Sequence, residues 1–225
     1  MIPPSRTLLL DLDGTLVDSV PDLAAALNRL MRARGLAPFS HPDVTAMVGD
    51  GAAALLARAF AARRTAQDTA ALADFLADYT ANAAVATAPY PGVETGLAAL
   101  AAAGWRLAVC TNKPEQAARA VLDQLGLSHH FAAIAGGDTF PTRKPDPDHL
   151  LRTLDASGGG RAGAMMLGDH HNDVAAAQAA GIGCIFAVWG YGTPEMAGDC
   201  PRAASFADVI RLLTPASAPA SPPPR

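Results

Sequence analysis

The chain has 225 residues, half of them hydrophobic, and a formal net charge of −4. That composition allows one large or two small domains with a sizeable core, and it excludes the broad basic footprint that a nucleic-acid binder needs. Three widely spaced cysteines, Cys110, Cys184 and Cys200, match neither a disulfide framework nor a metal-thiolate spacing and point to a reducing cytoplasm.

Met1 to Arg6 lacks the basic-then-apolar layout of a signal peptide. The longest uncharged stretch, Val174 to Pro194, is interrupted by Gln178, Gly181, Gly183 and Gly190, so no membrane span is expected. Thr7-Leu8-Leu9-Leu10 reads as a buried strand that runs straight into Asp11-Leu12-Asp13-Gly14-Thr15. Asp11 and Asp13, two apart, share a face while the chain stays extended. Two carboxylates held together raise each other's pKa, which asks for a cation between them or for an acid and a base with separate tasks.

Ser19 is an expected N-cap with Asp22 in capping-box position, and Leu23, Leu27, Leu30 and Met31 then recur at helical spacing as far as Gly35. Further helices are expected over 41–47, 52–62 and 68–84, the last with Leu72, Phe75, Leu76 and Tyr79 on one face. Nothing between Pro21 and Ala86 has strand character. After the Pro89-Tyr90-Pro91-Gly92 break, helices (93–103, 115–125, 147–156, 173–180) alternate with short apolar runs (106–110, 131–135, 164–167, 184–188). Alternation of this kind implies a parallel sheet covered on both faces. The expected layout is an α/β, Rossmann-like core built from 1–17 and 89–214, with an α-helical cap, 18–88, inserted after the first strand. The Pro/Ser/Ala-rich tail, 215–225, is expected to be disordered.

In open parallel sheets ligands bind beyond the carboxyl ends of the strands. The residues that follow the expected strands are therefore the informative ones: Asp11 and Asp13, then Thr111, Asn112 and Lys113, then Gly136-Gly137-Asp138 with Lys144 beyond, then Gly168-Asp169 and Asp173. Lys113 and Lys144 are the two lysines among 17 basic residues, and each precedes a proline. A compact ammonium suits contact with one small anion. This set fits phosphoryl transfer: aspartates for a hard divalent cation such as Mg²⁺, a hydroxyl, an amide and an ammonium for phosphate, and a carboxylate to attack phosphorus.

In the order Asp11-Leu12-Asp13-Gly14-Thr15, Thr111-Asn112-Lys113, Lys144-Pro145-Asp146-Pro147 and Gly168-Asp169 with Asp173, the chain resembles the haloacid dehalogenase-like superfamily of phosphohydrolases. The resemblance implies Asp11 as nucleophile and Asp13 as general acid and base. It implies Thr111, Asn112 and Lys144 as phosphate binders, with Lys144 offsetting charge in catalysis. Mg²⁺ would be held by Asp11, the Asp13 carbonyl and Asp169, with Asp173 supporting or ligating. The substrate implied is a small phosphorylated metabolite, foremost 2-phosphoglycolate, while an amino-sugar phosphate (N-acetylmuramate 6-phosphate) and a sugar-phosphate mutase reaction remain open. Members usually carry Ser or Thr after the metal-binding aspartate, whereas His170-His171 follow Asp169 here. These imidazoles read as groups that lie at the rim or hydrogen-bond locally; a transition-metal site is the other reading. Asp138 reads as a turn residue, His41 and His149 as ordinary loop or helix-end residues, and Trp189 as packing.

Overall fold

Side chains alternate between the two faces of a strand, and here each face must find apolar cover. The computed structural model describes residues 6–214; the tail expected to be disordered lies outside the described residues. Its strands are β1 (Thr7–Leu10), β2 (Val17–Asp18), β3 (Ala88–Pro89), β4 (Arg106–Cys110), β5 (Ala133–Ala135), β6 (Met165–Gly168), β7 (Gly183–Ala187) and β8 (Arg202–Ala203). Six of them form one parallel sheet in the order β5-β4-β1-β6-β7-β8. Its helices are α1 (Val20–Ala33), α2 (His41–Thr45), α3 (Ala52–Ala62), α4 (Ala71–Ala81), α5 (Val93–Ala102), α6 (Glu115–Gln124), α7 (Pro147–Ala156), α8 (His171–Ala180) and α9 (Phe206–Leu213).

Leu8, Leu10, Leu107, Val109, Leu167 and Ile185 face one side of the sheet, against Leu97, Val121 and Phe206 of α5, α6 and α9. Leu9, Ala108, Met166 and Phe186 face the other, against Leu150 and Leu154 of α7 and Val174 of α8. Each fully buried leucine of β1 contributes roughly 1.5–3 kcal/mol. The fold is thus α/β and Rossmann-like, with β1 central and the ends of β1, β4 and β6 side by side.

Between β2 and β3 the chain is helical, α1 to α4, and Leu23, Leu27, Leu56 and Phe75 join the core cluster that contains Leu12 and Leu16. β2 and β3 pair antiparallel through Val17↔Pro89 and Asp18↔Ala88, so the outgoing and returning ends of this helical segment lie side by side. That small ladder had no sequence signal beyond its bounding prolines.

Several expectations need correction. Ser19 stands at the N-cap of α1, but its side chain makes no cap hydrogen bond. Its Oγ instead donates to Asp13 Oδ1 at 2.6 Å. The buried Asp22 carboxylate accepts from the backbone N–H groups of Ala86 and Thr87 and from Thr87 Oγ1, clasping the segment's return. The helix expected over 68–84 is confined to α4, because Asp68 accepts from Ala70 N–H in a turn and Arg34 pairs with its carboxylate. α8 starts at His171, two residues earlier than expected, with Asp173 accepting from His170 N–H at 3.0 Å. β8 and α9 went unanticipated, although Phe206, Val209 and Leu213 recur at helical spacing after Ser205, whose side chain caps α9 by accepting from Asp208 N–H.

Candidate active site

The ends of β1, β4 and β6 bring together side chains that are as much as 162 residues apart in sequence, from Asp11 to Asp173. Lys144 is the hub. The residue is 2 % exposed, and its ammonium lies 2.6 Å from Asp173 Oδ1 and 3.0 Å from Asp11 Oδ1. Asp11 Oδ1 also accepts from Leu12 N–H at 2.7 Å. Asp169, at the end of β6, accepts from Thr15 Oγ1 at 2.7 Å and from Tyr191 N–H at 2.8 Å. Gly14 has φ +83°, and a Cβ at Gly14 or at Gly190 would collide with the Asp169 carboxylate, so both glycines are required by close approach to it.

Asp13 sits in a second arrangement. Lys113 Nζ donates to both of its oxygens, at 2.9 and 3.0 Å, and to Tyr79 Oη at 2.5 Å. Burial works against the Lys113 charge, but Asp13 and Tyr79 outweigh it and hold the pKa above the ordinary lysine value. Tyr79 comes from α4 in the helical segment, so that segment reaches Asp13 through one lysine. The anion contact that the rarity of lysine suggests for Lys113 goes to the Asp13 carboxylate. Tyr79, expected on an apolar helix face, is both core and contact: its ring stacks on Phe75 while its hydroxyl meets the ammonium.

Oxygens of Asp11, Asp169 and Asp173 lie within 4.8 Å of one another. Burial, then the neighbouring Asp11 and Asp173 carboxylates, pushes Asp169 up to about 7. Burial also pushes Asp173 upward, opposed by the ammonium of Lys144. The 2.6 Å contact supports an ionised Lys144–Asp173 pair, and the same partners hold Lys144 above the ordinary lysine value against its burial. With all groups ionised, three carboxylates against one ammonium leave two negative charges in a nearly sealed space. An oxygen-only donor set with that deficit fits one hard divalent cation. Both Asp173 oxygens are already engaged, by Lys144 and by His170 N–H. Asp173 is therefore fixed by Lys144 while it stays within reach of Asp11 and Asp169.

Thr111 and Asn112 follow β4 at the same edge, both buried. Thr111 Oγ1 accepts from Lys113 N–H at 3.3 Å. The Asn112 amide donates to the carbonyls of Lys144 at 3.0 Å and Gly49 at 3.1 Å, tying the lysine loop to the helical segment. Asp138 is a turn residue as expected; its carboxylate accepts from Glu115 N–H at the start of α6. Trp189 packs against Tyr90 and Phe206 and also donates to the Thr15 carbonyl at 3.1 Å. His149 is a helix-end residue, in the first turn of α7 as expected, and it is fully buried, with Nδ1 on the Thr142 carbonyl at 2.8 Å.

His170 is half-buried at the rim, as expected, and its Nδ1 is buried without a hydrogen-bond partner. Burial and the neighbouring His171 push its pKa down to about 4. It lines a cavity of about 680 Å³ whose walls include Asp18 of β2, Val20 of α1, His41 and Thr45 of α2, and Tyr191, Thr193 and Met196 from the far side. The cavity borders the aspartate cluster through His170 and Tyr191.

Residues 6–181 match the family described as haloacid dehalogenase-like hydrolase. The chain is 42 % identical over 222 residues to a phosphoglycolate phosphatase of Agrobacterium fabrum, a match covering 95 % of this chain and 93 % of that one. It is 46 % identical over 200 residues to a phosphoglycolate phosphatase of Rhodospirillum rubrum, covering 85 % and 83 % respectively. The crystal structure of a predicted phosphoglycolate phosphatase from Haemophilus somnus superposes with a TM-score of 0.86 at 29 % identity, over 95 % of this chain and all of that one.

Proposed function

The chain belongs to the haloacid dehalogenase-like hydrolases, and on that premise we propose that it hydrolyses 2-phosphoglycolate through a phosphorylated Asp11. It is a phosphoric monoester hydrolase acting on a small phosphorylated substrate. The observation that carries the mechanism is the Lys144 bridge, an ammonium within 3.0 Å of Asp11 and in contact with Asp173 at the end of a parallel sheet. Such a group lowers the repulsion between a carboxylate nucleophile and a phosphate dianion.

In the proposed first step an Asp11 oxygen attacks phosphorus in line and the bond to the leaving oxygen breaks. Asp13 delivers its proton to that oxygen. Water then gives a proton to Asp13 and attacks the phosphorus of the aspartyl-phosphate, releasing phosphate and restoring Asp11. Lys113 and Ser19 hold Asp13 for this exchange, and protonation of Asp13 requires its ion pair with Lys113 to loosen. Thr111 Oγ1, the Asn112 backbone N–H and Lys144 would bind the phosphate oxygens. Mg²⁺, with Asp11, Asp169 and the Asp13 carbonyl as its ligands and Asp173 in support, would stabilise charge developing on phosphoryl oxygens.

Asp11 is 9 % exposed and Asp169 2 %. Phosphate entry therefore requires movement, and residues 18–88 are proposed as the lid that supplies it. No helix among the described residues is long and apolar enough to cross a membrane, and the proposed setting is the cytoplasm.

The test is phosphate release from a panel of 2-phosphoglycolate, hexose phosphates, N-acetylmuramate 6-phosphate and pyrophosphate, with and without Mg²⁺. The expected result is the highest kcat/KM for 2-phosphoglycolate and none without a divalent ion. Preference for a sugar phosphate would overturn the substrate, and turnover without phosphate release would overturn the hydrolase.

A further inference from the structure

We propose that Asp50, His170 and His171 form a second cation site, separate from the aspartate cluster, for a transition-metal ion of the zinc, cobalt or nickel class that staples the helical segment to the sheet edge. One ligand atom from each of the three lies within 4.8 Å of the others. Asp50 belongs to the loop between α2 and α3; His170 and His171 open α8 on the opposite side of the cleft. Two imidazoles and one carboxylate favour borderline-soft ions, whereas the oxygen-only set of Asp11, Asp169 and Asp173 favours a hard one.

Two further observations point to a ligand. The buried Nδ1 of His170 has no hydrogen-bond partner, so nothing on that nitrogen commits the ring to one tautomer and the imidazole can present a lone pair to an ion. The Asp50 carboxylate is held in place from behind, by Asn172 Nδ2 at 2.6 Å and by the Arg58 guanidinium. Outer partners of this kind are what orient a metal-binding carboxylate, and each oxygen keeps a further lone pair for the ion. Gly49 packs so close to the His170 ring that a Cβ there would collide with it, which fixes the imidazole. An ion can enter through the cavity that His170 lines or past the exposed His171. Because its ligands come from both sides of the cleft, the bound ion would hold the helical segment down and slow turnover.

The test is a titration of the full chain with Co²⁺ in excess Mg²⁺, which keeps the aspartate cluster filled. The expected result is one intense visible absorption of low-symmetry, nitrogen-ligated Co²⁺, removed by one equivalent of Zn²⁺. In His171→Ala, an exposed position, and in Asp50→Asn, affinity should fall by at least about tenfold while the circular dichroism spectrum stays unchanged. Zinc should slow phosphate release by the unaltered protein and not by His171→Ala. Absence of the band under excess Mg²⁺, or an equal band in both variants, overturns the site. Equal zinc inhibition of the unaltered protein and His171→Ala overturns the staple.

Discussion

The sheet edge and the helical segment meet around the same aspartates but contribute in different ways. At the sheet edge, chemistry follows from topology: Asp11, Thr111, Lys144 and Asp169 lie on the loops after parallel strands, each placed by a buried apolar run. The helical segment offers a few groups, the Tyr79 hydroxyl, the Gly49 carbonyl and the Asp50 carboxylate, and all of them act on sheet-edge residues. On the proposed mechanism, one region carries the reaction and the other adjusts it. That division predicts a gradient of effects.

Asp11→Asn should have the largest effect. Loss of the attacking carboxylate is expected to lower turnover by at least about a thousandfold, with no phosphoryl adduct by intact-protein mass spectrometry and an unchanged fold. Appreciable turnover in that variant would break the assignment of chemistry to the sheet edge. Lys144→Met should follow, because it leaves Asp11 and Asp173 facing each other without their cation. Breaking such a buried pair costs about 3–5 kcal/mol, to be read as a lower denaturant midpoint alongside lost activity.

The third prediction concerns pH. Asp169 titrates near 7 in the folded chain, against an ordinary 3.8. Between those values the folded state holds a proton that the unfolded chain has released, so metal-free stability should fall as pH rises from about 4 to about 7. Mg²⁺ must displace that proton below pH 7, and its affinity should drop about tenfold per unit there and level off above. Calorimetric titration of Mg²⁺ between pH 5.5 and 8, with thermal unfolding of the metal-free protein, measures both. A flat profile would remove the charge deficit as the reason for a divalent ion.

Tyr79→Phe should be the mildest. It removes one hydrogen bond to Lys113 and leaves the stacked ring, for about 1 kcal/mol and a change in kcat/KM of tenfold or less. A loss as large as that of Asp11→Asn would mean that the helical segment takes part in the chemistry.

The same contrast explains what could be read from the chain beforehand. Leu8-Leu9-Leu10 into Asp11, or Met166-Leu167 into Gly168-Asp169, announces strand, turn and site together, because burial on both faces gives an unbroken apolar run. Sheet-edge residues could therefore be nominated without coordinates. Tyr79 could not, since its helical spacing with Phe75 and Leu76 describes a core face and says nothing of where the hydroxyl ends. Asp22 and Ser19 matched a local capping pattern, yet tertiary partners, Thr87 and Asp13, took both side chains. His170 carried a signal in its departure from the usual Ser or Thr, but the setting of its ring depends on Gly49, which packs against it from another part of the chain.

The two rungs joining β2 to β3 have a mechanical consequence. Strands tied at neighbouring points behave as a single pivot, so the proposed lid would swing about one line rather than slide or twist on independent tethers. Motion confined in that way would return Tyr79 to Lys113 and Gly49 to Asn112 in the same stroke, and the cleft would reopen and reset along a repeatable path.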